Sequence, residues 1–321
     1  MQLPTGPVGV ISNPGSGHNR DQFGDIRSRI EQHPGIRHII TQSPADIAPA
    51  LNELAAMNIE VLAINGGDGT ASAVLGELLE AKMFSRPPLI ALLPGGTANM
   101  NAGDIGFRGP LKKAVSRFCQ WSESERRTDS KPASRNLLRV VTHTGAAPRY
   151  GMFLGGGAVI HGTEYAHKEI HSRGLRDDFS LALGTLRTVW GVLRGDPAFN
   201  RHVSIRLTLD EGEPVQYDTL ILVVSTLQRL AFGMRPFWSQ EPGTIRVTVF
   251  EQGCSRFATT FLSIVRGRPN RNAVPASGYN SFNTATMKLQ MEGKLNLDGE
   301  LLDVAGAVNI SASTPLEFLR L

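Results

Sequence analysis

The first 120 residues alternate between short apolar runs and longer segments with apolar residues at helical spacing. The runs are rich in branched side chains and end in turn residues or proline, which is typical of strands buried on both faces of a parallel sheet. They occupy residues 7–14, 36–42, 61–65 and 89–94. Between the runs, residues 43–57 and 70–82 have the pattern of helices that bury one face. This alternation predicts a doubly wound α/β domain.

The pattern changes after the polar segment 122–136, which we interpret as a linker. Most of the later apolar runs alternate with polar residues and are joined by Gly, Pro or Asp turns. These runs are residues 136–143, 202–209, 218–226, 244–250, 287–293 and 307–313. We therefore expect a second, mainly antiparallel β domain with helical insertions at 179–194 and 254–266.

The predicted organisation has three parts. Residues 1–130 form the α/β domain, residues 131–307 form the mainly antiparallel β domain, and residues 308–321 form a tail that can return to the first domain.

Composition excludes several classes of protein. Hydrophobic residues make up 41% and charged residues 19%, a globular balance. The net charge of +4 favours anionic partners, but no basic stripe is interleaved with aromatic residues, so nucleic acid is not an expected partner. Cys119 and Cys254 match neither a disulfide framework nor a zinc site and indicate buried thiols in a reducing compartment. We see no signal peptide and no apolar stretch of about 20 residues, so we expect a cytoplasmic protein that at most lies on a membrane surface.

Glycine-rich turns follow three of the four predicted strands, in "SNPGSG" (12–17), "NGGDGT" (65–70) and "PGGTAN" (94–99). Such a turn before a helix exposes backbone N–H groups at the positive end of the helix dipole, where phosphate oxygens bind. Because open α/β sheets bind ligands at the carboxyl ends of their strands, the three turns together predict a nucleotide-phosphate site. Asp68 would repel a bare phosphate, so its presence implies Mg²⁺ or a proton to be taken; a helix-capping role is the alternative. Thr70 can cap the helix and donate to an oxygen.

A fourth motif, "LNLDGELLD" (295–303), has Asp298 and Glu300 on either side of Gly299. Asp-Gly between strands is a strong hairpin signal. Alternate residues at a strand end also direct two carboxylates the same way, which suits a metal ligand and a general base. The spacing alone leaves both interpretations open.

These four motifs, in this order and at these separations, resemble the diacylglycerol kinase/sphingosine kinase catalytic family of lipid kinases, in particular its bacterial soluble members. The resemblance covers nearly the whole chain. It implies an α/β nucleotide-binding domain and a β-sandwich domain with ATP and Mg²⁺ in the cleft between them. It also implies transfer of the γ-phosphoryl group to a lipid hydroxyl, on a diacylglycerol-like or sphingoid-like acceptor, at an anionic membrane surface. It is compatible with a homodimer.

The resemblance also implies roles for individual residues. Glu300 would accept the proton of the lipid hydroxyl, although Asp68 is the alternative base, and Asp298 would complete the catalytic group. Asp68 would organise Mg²⁺ and the phosphates. The residues expected to line the nucleotide are Asn13, Thr41, Gly66, Gly67, Asp68, Gly69, Thr70, Gly95, Gly96, Thr97 and Asn99.

The sequence departs from the family pattern at three places. Met100 follows Asn99 where the family has Asp, and "QSPADIA" follows Thr41 in place of Gly-His or Gly-Asp. In "WSQEPGTIRV" a proline, Pro242, stands where bacterial members can hold an additional metal, which argues against that metal site. Glycine loops like GGDGT also occur in NAD kinases, so a small-molecule kinase and a non-catalytic nucleotide- or lipid-binding relative stay alternatives.

Two other segments have structural and functional interpretations. His161, His167 and His171 have a spacing that could bind a metal, but a solvated helix face is the stronger interpretation. The segment "RLAFGMRPFW" (229–238) is apolar and basic, so it suits either a core position or docking on an anionic membrane.

Overall fold

The computed structural model describes residues 6–124, 132–143, 145–160, 163 and 203–320. The chain forms two compact units. Unit 1 comprises residues 1–135 and 314–321, and unit 2 comprises residues 136–313. The predicted cluster of His161, His167 and His171 and the predicted helix at 179–194 lie outside the described residues.

Unit 1 is built on a six-stranded sheet. Its strands are β1 (Val8–Ser12), β2 (Ile36–Ile40), β3 (Val61–Gly66), β4 (Leu89–Pro94), β5 (Ala133–Arg135) and, at the end of the chain, β15 (Leu316–Phe318). They lie in the order β2-β1-β3-β4-β15-β5. The pairings among the first four strands and of β15 with β4 are parallel, and β5 runs antiparallel to β15. Three of the strands are buried throughout, as their continuous apolar sequences require. The predicted parallel α/β domain is confirmed.

Five helices of unit 1 lie in the described part of the chain. They are α1 (Asn19–Glu31), α2 (Ile47–Ala56), α3 (Asp68–Ala81), α4 (Met100–Ile105) and α5 (Leu111–Glu123). Side chains of α1 and α5 share a core with alternate residues of β1, β3 and β4, including Val8 and Val10. Gly9 faces the other way, because successive strand residues alternate, and a Cβ there would meet Leu54 of α2. The predicted linker does not begin at 122, since α5 continues through Glu123 and β5 occupies 133–135.

Unit 2 is strand-rich, and every one of its described strand pairings is antiparallel. Its strands are β6 (Leu138–Val141), β7 (Arg149–Gly151), β8 (Phe153–Gly157), β9 (Val203–Leu209), β10 (Val215–Ser225), β11 (Ile245–Glu251), β12 (Tyr279–Thr284), β13 (Thr286–Leu297) and β14 (Glu300–Ala312). They form one hydrogen-bonded network around a single apolar core. The mainly antiparallel β domain is confirmed, and its division into the two layers of a sandwich stays a prediction. A further helix, α6 (Phe257–Val265), lies within the predicted helical insertion.

Strands β8 and β9 lie end to end beside β10, although residues 158–202 separate them in the chain. Residues 215–219 of β10 pair with β9, and residues 221–225 pair with β8. Strand β13 bridges the same two strands on the other side. Strands β8 and β9 therefore run in the same direction and occupy one position in the sheet, between β10 and β13.

Among the described residues, no helix combines the length and the apolar character that crossing a bilayer requires.

Candidate active site

The three glycine-rich turns of unit 1 pack directly against one another at the carboxyl ends of β1, β3 and β4. A Cβ on Gly96 would lie 2.3 Å from the Cα of Gly67, and one on Gly17 would lie 2.6 Å from the carbonyl carbon of Gly96. No side chain fits into these contacts, so glycine is required there for close packing. The predicted residues of the three turns thus lie together.

Asn13 links the first turn to the second. Its Nδ2 donates to Oγ1 of Thr70 at 2.9 Å, and its Oδ1 accepts from the N–H of Gly15 at 2.9 Å. A hydroxyl that accepts one hydrogen bond can still donate its own hydrogen. Asn13 therefore leaves the Thr70 hydroxyl able to donate to an anionic oxygen.

The amino terminus of α3 supplies further donors. Gly67 is its N-cap residue, and no described side chain caps this end of the helix. The first N–H groups of a helix have no partner within it, so those of Asp68, Gly69 and Thr70 are oriented to bind an anion. Gly69 is exposed and Thr70 is half-buried, which leaves the turn open to a ligand.

Asp68 does not point into this turn. Its two carboxylate oxygens accept from the N–H groups of Met100 and Asn101, each at 3.0 Å, at the start of α4. The residue is only 9% exposed, and burial raises the pKa of its carboxyl even though both hydrogen bonds act in the opposite direction. Asp68 thus holds the amino end of α4, a variant of the capping role that the sequence left open.

The turn after β4 is stabilised by Asn99. Its Oδ1 accepts from the N–H of Gly96 at 2.9 Å, and its Nδ2 donates to the carbonyl of Gly96 at 2.7 Å. Its backbone has a positive φ of 46°, which asparagine tolerates better than most residues. Because both ends of its amide are engaged with Gly96, Asn99 fixes the shape of this turn.

Thr41 lies at the end of β2 and is almost fully buried. Its backbone N–H and its hydroxyl both reach the carbonyl oxygen of Ser12, at 2.9 and 3.3 Å. Of the residues predicted to line the nucleotide, Thr41 is therefore placed beside the end of β1 rather than among the glycine turns.

Buried asparagines beneath the turns were not predicted from the sequence. Asn19 donates through Nδ2 to the carbonyls of Asn13 and Asn65 and to Oγ of Ser16. Its backbone N–H donates to the carbonyl of Gly95, and so all three turns are tied to one residue. The sequence signal that could have found them is a polar residue near the end of the buried strand β3, Asn65, together with a polar residue at the first position of α1, Asn19.

In unit 2, Asp298 and Gly299 form the turn between β13 and β14, so the hairpin interpretation is confirmed. Their φ angles, 47° and 95°, are both positive, as a two-residue hairpin turn of type I′ requires. Asp298 is 5% exposed, and its Oδ2 and Oδ1 accept from the N–H groups of Met152 at 2.8 Å and Phe153 at 3.0 Å. This carboxylate positions the start of β8.

Glu300 has the opposite environment. Its side chain is 62% exposed, and one of its carboxylate oxygens pairs with the guanidinium of Arg149 on β7. The hairpin therefore carries a buried carboxylate, that of Asp298, two residues before a solvent-exposed one, that of Glu300.

The three carboxylates form no metal site by themselves. Both oxygens of Asp68 and of Asp298 accept backbone N–H groups, and Glu300 pairs with a cation. Among the described residues, no group of three or more His, Cys, Asp or Glu side chains could hold a metal ion. A carboxylate oxygen has two lone pairs, so these bonds are compatible with a metal that arrives with ATP, and the role of Asp68 in organising Mg²⁺ stays a prediction.

A cavity of about 430 Å³ lies elsewhere in unit 1. Its lining includes Gly6, Pro7, Gly35 and Glu123, near the amino ends of β1 and β2. None of the predicted nucleotide residues lines it, so the candidate site is the turn surface and not this cavity.

Comparison with known proteins finds a family model that matches part of unit 1. Residues 7–129 match the family model described as "Diacylglycerol kinase catalytic domain". This segment of the chain is therefore similar to the catalytic domains of diacylglycerol kinases. All of the predicted nucleotide residues lie within the matched segment, whereas Asp298 and Glu300 lie beyond it.

Solved structures share the fold of this chain over nearly its whole length. A diacylglycerol kinase from Bacillus anthracis str. Sterne has a TM-score of 0.61 at 15% identity, covering 98% of this chain and 96% of that one. A second crystal structure from the same organism, provisionally described as a diacylglycerol kinase, has a TM-score of 0.65 at 16% identity with the same coverage. Among curated proteins, none matches the chain significantly.

Proposed function

We propose that the protein is an ATP-dependent lipid kinase that transfers the γ-phosphoryl group to a hydroxyl of a diacylglycerol-like or sphingoid-like lipid. One observation carries the proposal. Within the segment that matches the diacylglycerol kinase catalytic domain, the amino terminus of α3 lacks a side-chain cap among the described residues and opens from three interlocked glycine turns. Phosphoryl transfer depends mostly on positioning and on neutralising negative charge, and this surface provides donors for both.

The proposal assigns the ATP phosphates to the first turn of α3. The N–H groups of Gly69 and Thr70 and the hydroxyl of Thr70 would donate to phosphate oxygens. Asn13 would keep that hydroxyl oriented through its 2.9 Å bond to Oγ1. Because the carboxylate of Asp68 is directed toward α4, it would not occupy the position that the phosphates need.

Glu300 is the favoured base. The lipid oxygen would attack the γ-phosphorus, its proton would pass to the Glu300 carboxylate, and the bond between the γ-phosphorus and the bridging oxygen would break to release ADP. Exposure of Glu300 supports this role, and Arg149 would fix the direction of its carboxylate. Asp68 is the weaker candidate, because burial and two backbone donors leave it no access to a lipid hydroxyl.

ATP-dependent kinases generally use a divalent metal, and we expect Mg²⁺ to accompany ATP. Since the described residues contain no cluster of metal-ligating side chains, no step and no protein ligand is assigned to that ion. A lipid acceptor implies that the enzyme works at a membrane surface.

The test is a transfer assay with γ-labelled ATP against diacylglycerol, sphingoid bases, extracted lipids and NAD. We expect label in a lipid product. Thr70→Val should raise the KM for ATP about tenfold by removing one hydrogen bond to an anion, whereas Thr70→Ser should keep it near the wild-type value. Transfer to NAD alone would overturn the lipid assignment, and ATP binding without any transfer would favour a non-catalytic relative.

A further inference from the structure

An exposed apolar surface of unit 2 is not used by the proposed chemistry. It consists of α6 (Phe257–Val265) and a 3-10 turn at Ala231–Gly233. We call these two segments the docking face. The sequence pattern left the second segment open between core and membrane docking.

Helix α6 is strongly apolar but only partly covered. Its sequence is FATTFLSIV, yet Thr260 and Ile264 are its only buried residues. Phe257 and Phe261 stack on each other with centroids 5.3 Å apart and pack edge-on against Phe250. Leu262 points away from this contact and is 44% exposed. Packing on the aromatic cluster therefore accounts for one side of the helix and leaves apolar surface on the other.

The 3-10 turn exposes the largest apolar side chain of the face. Phe232 is 63% exposed and has a φ of 56°, a conformation that is unfavourable for a bulky side chain. The turn is held closed by hydrogen bonds from the N–H of Gly233 to the carbonyl of Leu230 and from the N–H of Leu230 to the carbonyl of Met234. A strained backbone that holds a phenylalanine in solvent indicates a function for that side chain.

The two segments are physically connected. The N–H of Arg235 donates to the carbonyl of Val265 at 2.8 Å, which joins the 3-10 turn to the last residue of α6. Gly267 lies so close that a Cβ on it would be 3.2 Å from Cδ of Arg235. Phe232 and the carboxyl end of α6 thus belong to one surface.

The charge of this surface has a single sign. Residues 219–240 and 252–280 contain no Asp or Glu. They contain six arginines, of which all but Arg229 are exposed: Arg229, Arg235, Arg256, Arg266, Arg268 and Arg271. In the part of the chain that the structure describes, none of these guanidinium groups forms an ion pair. Exposed apolar residues surrounded by unopposed arginines are typical of a surface that enters an anionic lipid interface.

We propose that the docking face binds anionic lipid bilayers, with Phe232 and Leu262 entering the acyl boundary and the arginines binding lipid phosphates. A protein partner would have to match five exposed arginines in chain segments that contain no carboxylate side chain, so a phosphate-rich membrane fits better. The inference rests on the proposed function in one respect, which is that the lipid acceptor would reach the enzyme from the membrane that this face binds. Binding itself requires no catalysis.

The experiment is cosedimentation of the full chain with vesicles of phosphatidylcholine alone or with added phosphatidylglycerol. We expect binding to the anionic vesicles that weakens as salt is raised. Arg266→Gln with Arg268→Gln should lower the partition coefficient about 20-fold. Phe232→Ser with Leu262→Ser should lower it about tenfold.

Matched controls change equivalent residues outside the face. Arg206→Gln with Lys288→Gln removes two exposed cations from β9 and β13, and Met57→Ser with Val215→Ser removes two exposed apolar side chains. Both controls should bind like the wild type, and thermal melting should confirm that every variant is folded. Failure of the wild type to bind anionic vesicles, or equal binding by the docking-face variants, would overturn the proposal. So would wild-type self-association that the variants abolish, since the face would then be a protein interface.

Activity measurements separate this proposal from the kinase proposal. With a short-chain acceptor dispersed in solution, the docking-face variants should match the wild type, and with vesicle-borne acceptor they should lose activity in proportion to binding. Vesicle binding without any phosphoryl transfer would contradict the kinase proposal and leave the docking face supported.

Discussion

Two buried aspartates, one in each unit, have exposed counterparts that also accept two backbone N–H groups. In unit 1, Oδ2 of Asp46 accepts from the N–H groups of Gln42 and Ser43, while the two oxygens of buried Asp68 accept from Met100 and Asn101. In unit 2, Oδ1 of exposed Asp210 accepts from Ala285 and Thr286, while the two oxygens of buried Asp298 accept from Met152 and Phe153. The number of backbone donors is the same, but the exposed residues use one oxygen for both and the burial differs.

The difference shows that environment decides what such a carboxylate does. At the exposed sites, hydrogen bonds from Gln42 and Thr286 hold the pKa values of Asp46 and Asp210 below their ordinary range. At Asp68, burial dominates, and the pKa is raised. Asp46 organises a local turn, whereas Asp210, Asp68 and Asp298 accept from N–H groups that lie 32 to 146 residues away in the chain.

Glu300 differs from the buried aspartates in exposure, and this difference bears on function. It lies two residues from Asp298, but its side chain is exposed and its carboxylate pairs with the guanidinium of Arg149. The buried aspartates should therefore matter for stability, and Glu300 for turnover.

The largest effect is expected for Glu300→Gln. Loss of the proton acceptor should lower kcat about 10²–10⁴-fold, while the KM for ATP and the melting temperature stay near the wild-type values. Steady-state kinetics with Glu292→Gln, another exposed glutamate of the same hairpin, provide the control. An unchanged kcat in Glu300→Gln would rule out its role as the base.

Asp68→Ala is expected to destabilise unit 1 by about 3 kcal/mol, because two N–H groups at a largely buried helix end lose their acceptor. Asp46→Ala removes the same number of bonds at an exposed site, where water replaces the carboxylate, and should cost clearly less. Urea unfolding of both variants measures the contrast. Equal losses would mean that burial is not the deciding factor.

Local pattern predicted much of unit 1. The four parallel strands, the helices at α2 and α3 and the glycine turns follow from apolar runs and glycine positions, which are signals within a few residues. Helix α5 was not predicted, although Leu111, Ala114, Val115 and Phe118 have helical spacing.

The partner of Asp68 could not be predicted in the same way. Its acceptor role depends on N–H groups of α4, which lie more than 30 residues away in the chain. The local sequence therefore suggested a metal, a proton or a local cap for Asp68, whereas its bonds to the N–H groups of Met100 and Asn101 required the structure. In unit 2, the hairpin of Asp298 was readable from Asp-Gly, but its bonds to Met152 and Phe153 span about 145 residues and required the structure.

Asp298→Asn is expected to destabilise unit 2 by about 2 kcal/mol. Asparagine accepts the positive φ and keeps one acceptor oxygen, so the substitution isolates the loss of one buried acceptor. Asp210→Asn is the control, since this exposed residue also has a positive φ, of 49°. The loss of unfolding free energy in Asp210→Asn should be smaller than that in Asp298→Asn in the same denaturation experiment. A Phe153 or Met152 amide that exchanges with solvent at the wild-type rate in Asp298→Asn would contradict the assigned role.

His38 tests whether burial dominates at a cationic group as it does at Asp68. Its Nε2 lies 2.8 Å from Oγ of Ser12, beneath the glycine turns, and burial lowers its pKa from 6.5 to about 4, with Arg27 lowering it and Glu31 opposing. Since the unfolded chain binds the proton first as pH falls, stability should be complete above pH 6.5 and decrease between about pH 6.5 and pH 4. After allowance for partial exposure, the loss should be about 1–2 kcal/mol. His38→Gln should remove this part of the pH dependence of the unfolding free energy. An unchanged slope between pH 7 and pH 4 in that variant would assign the loss to other groups.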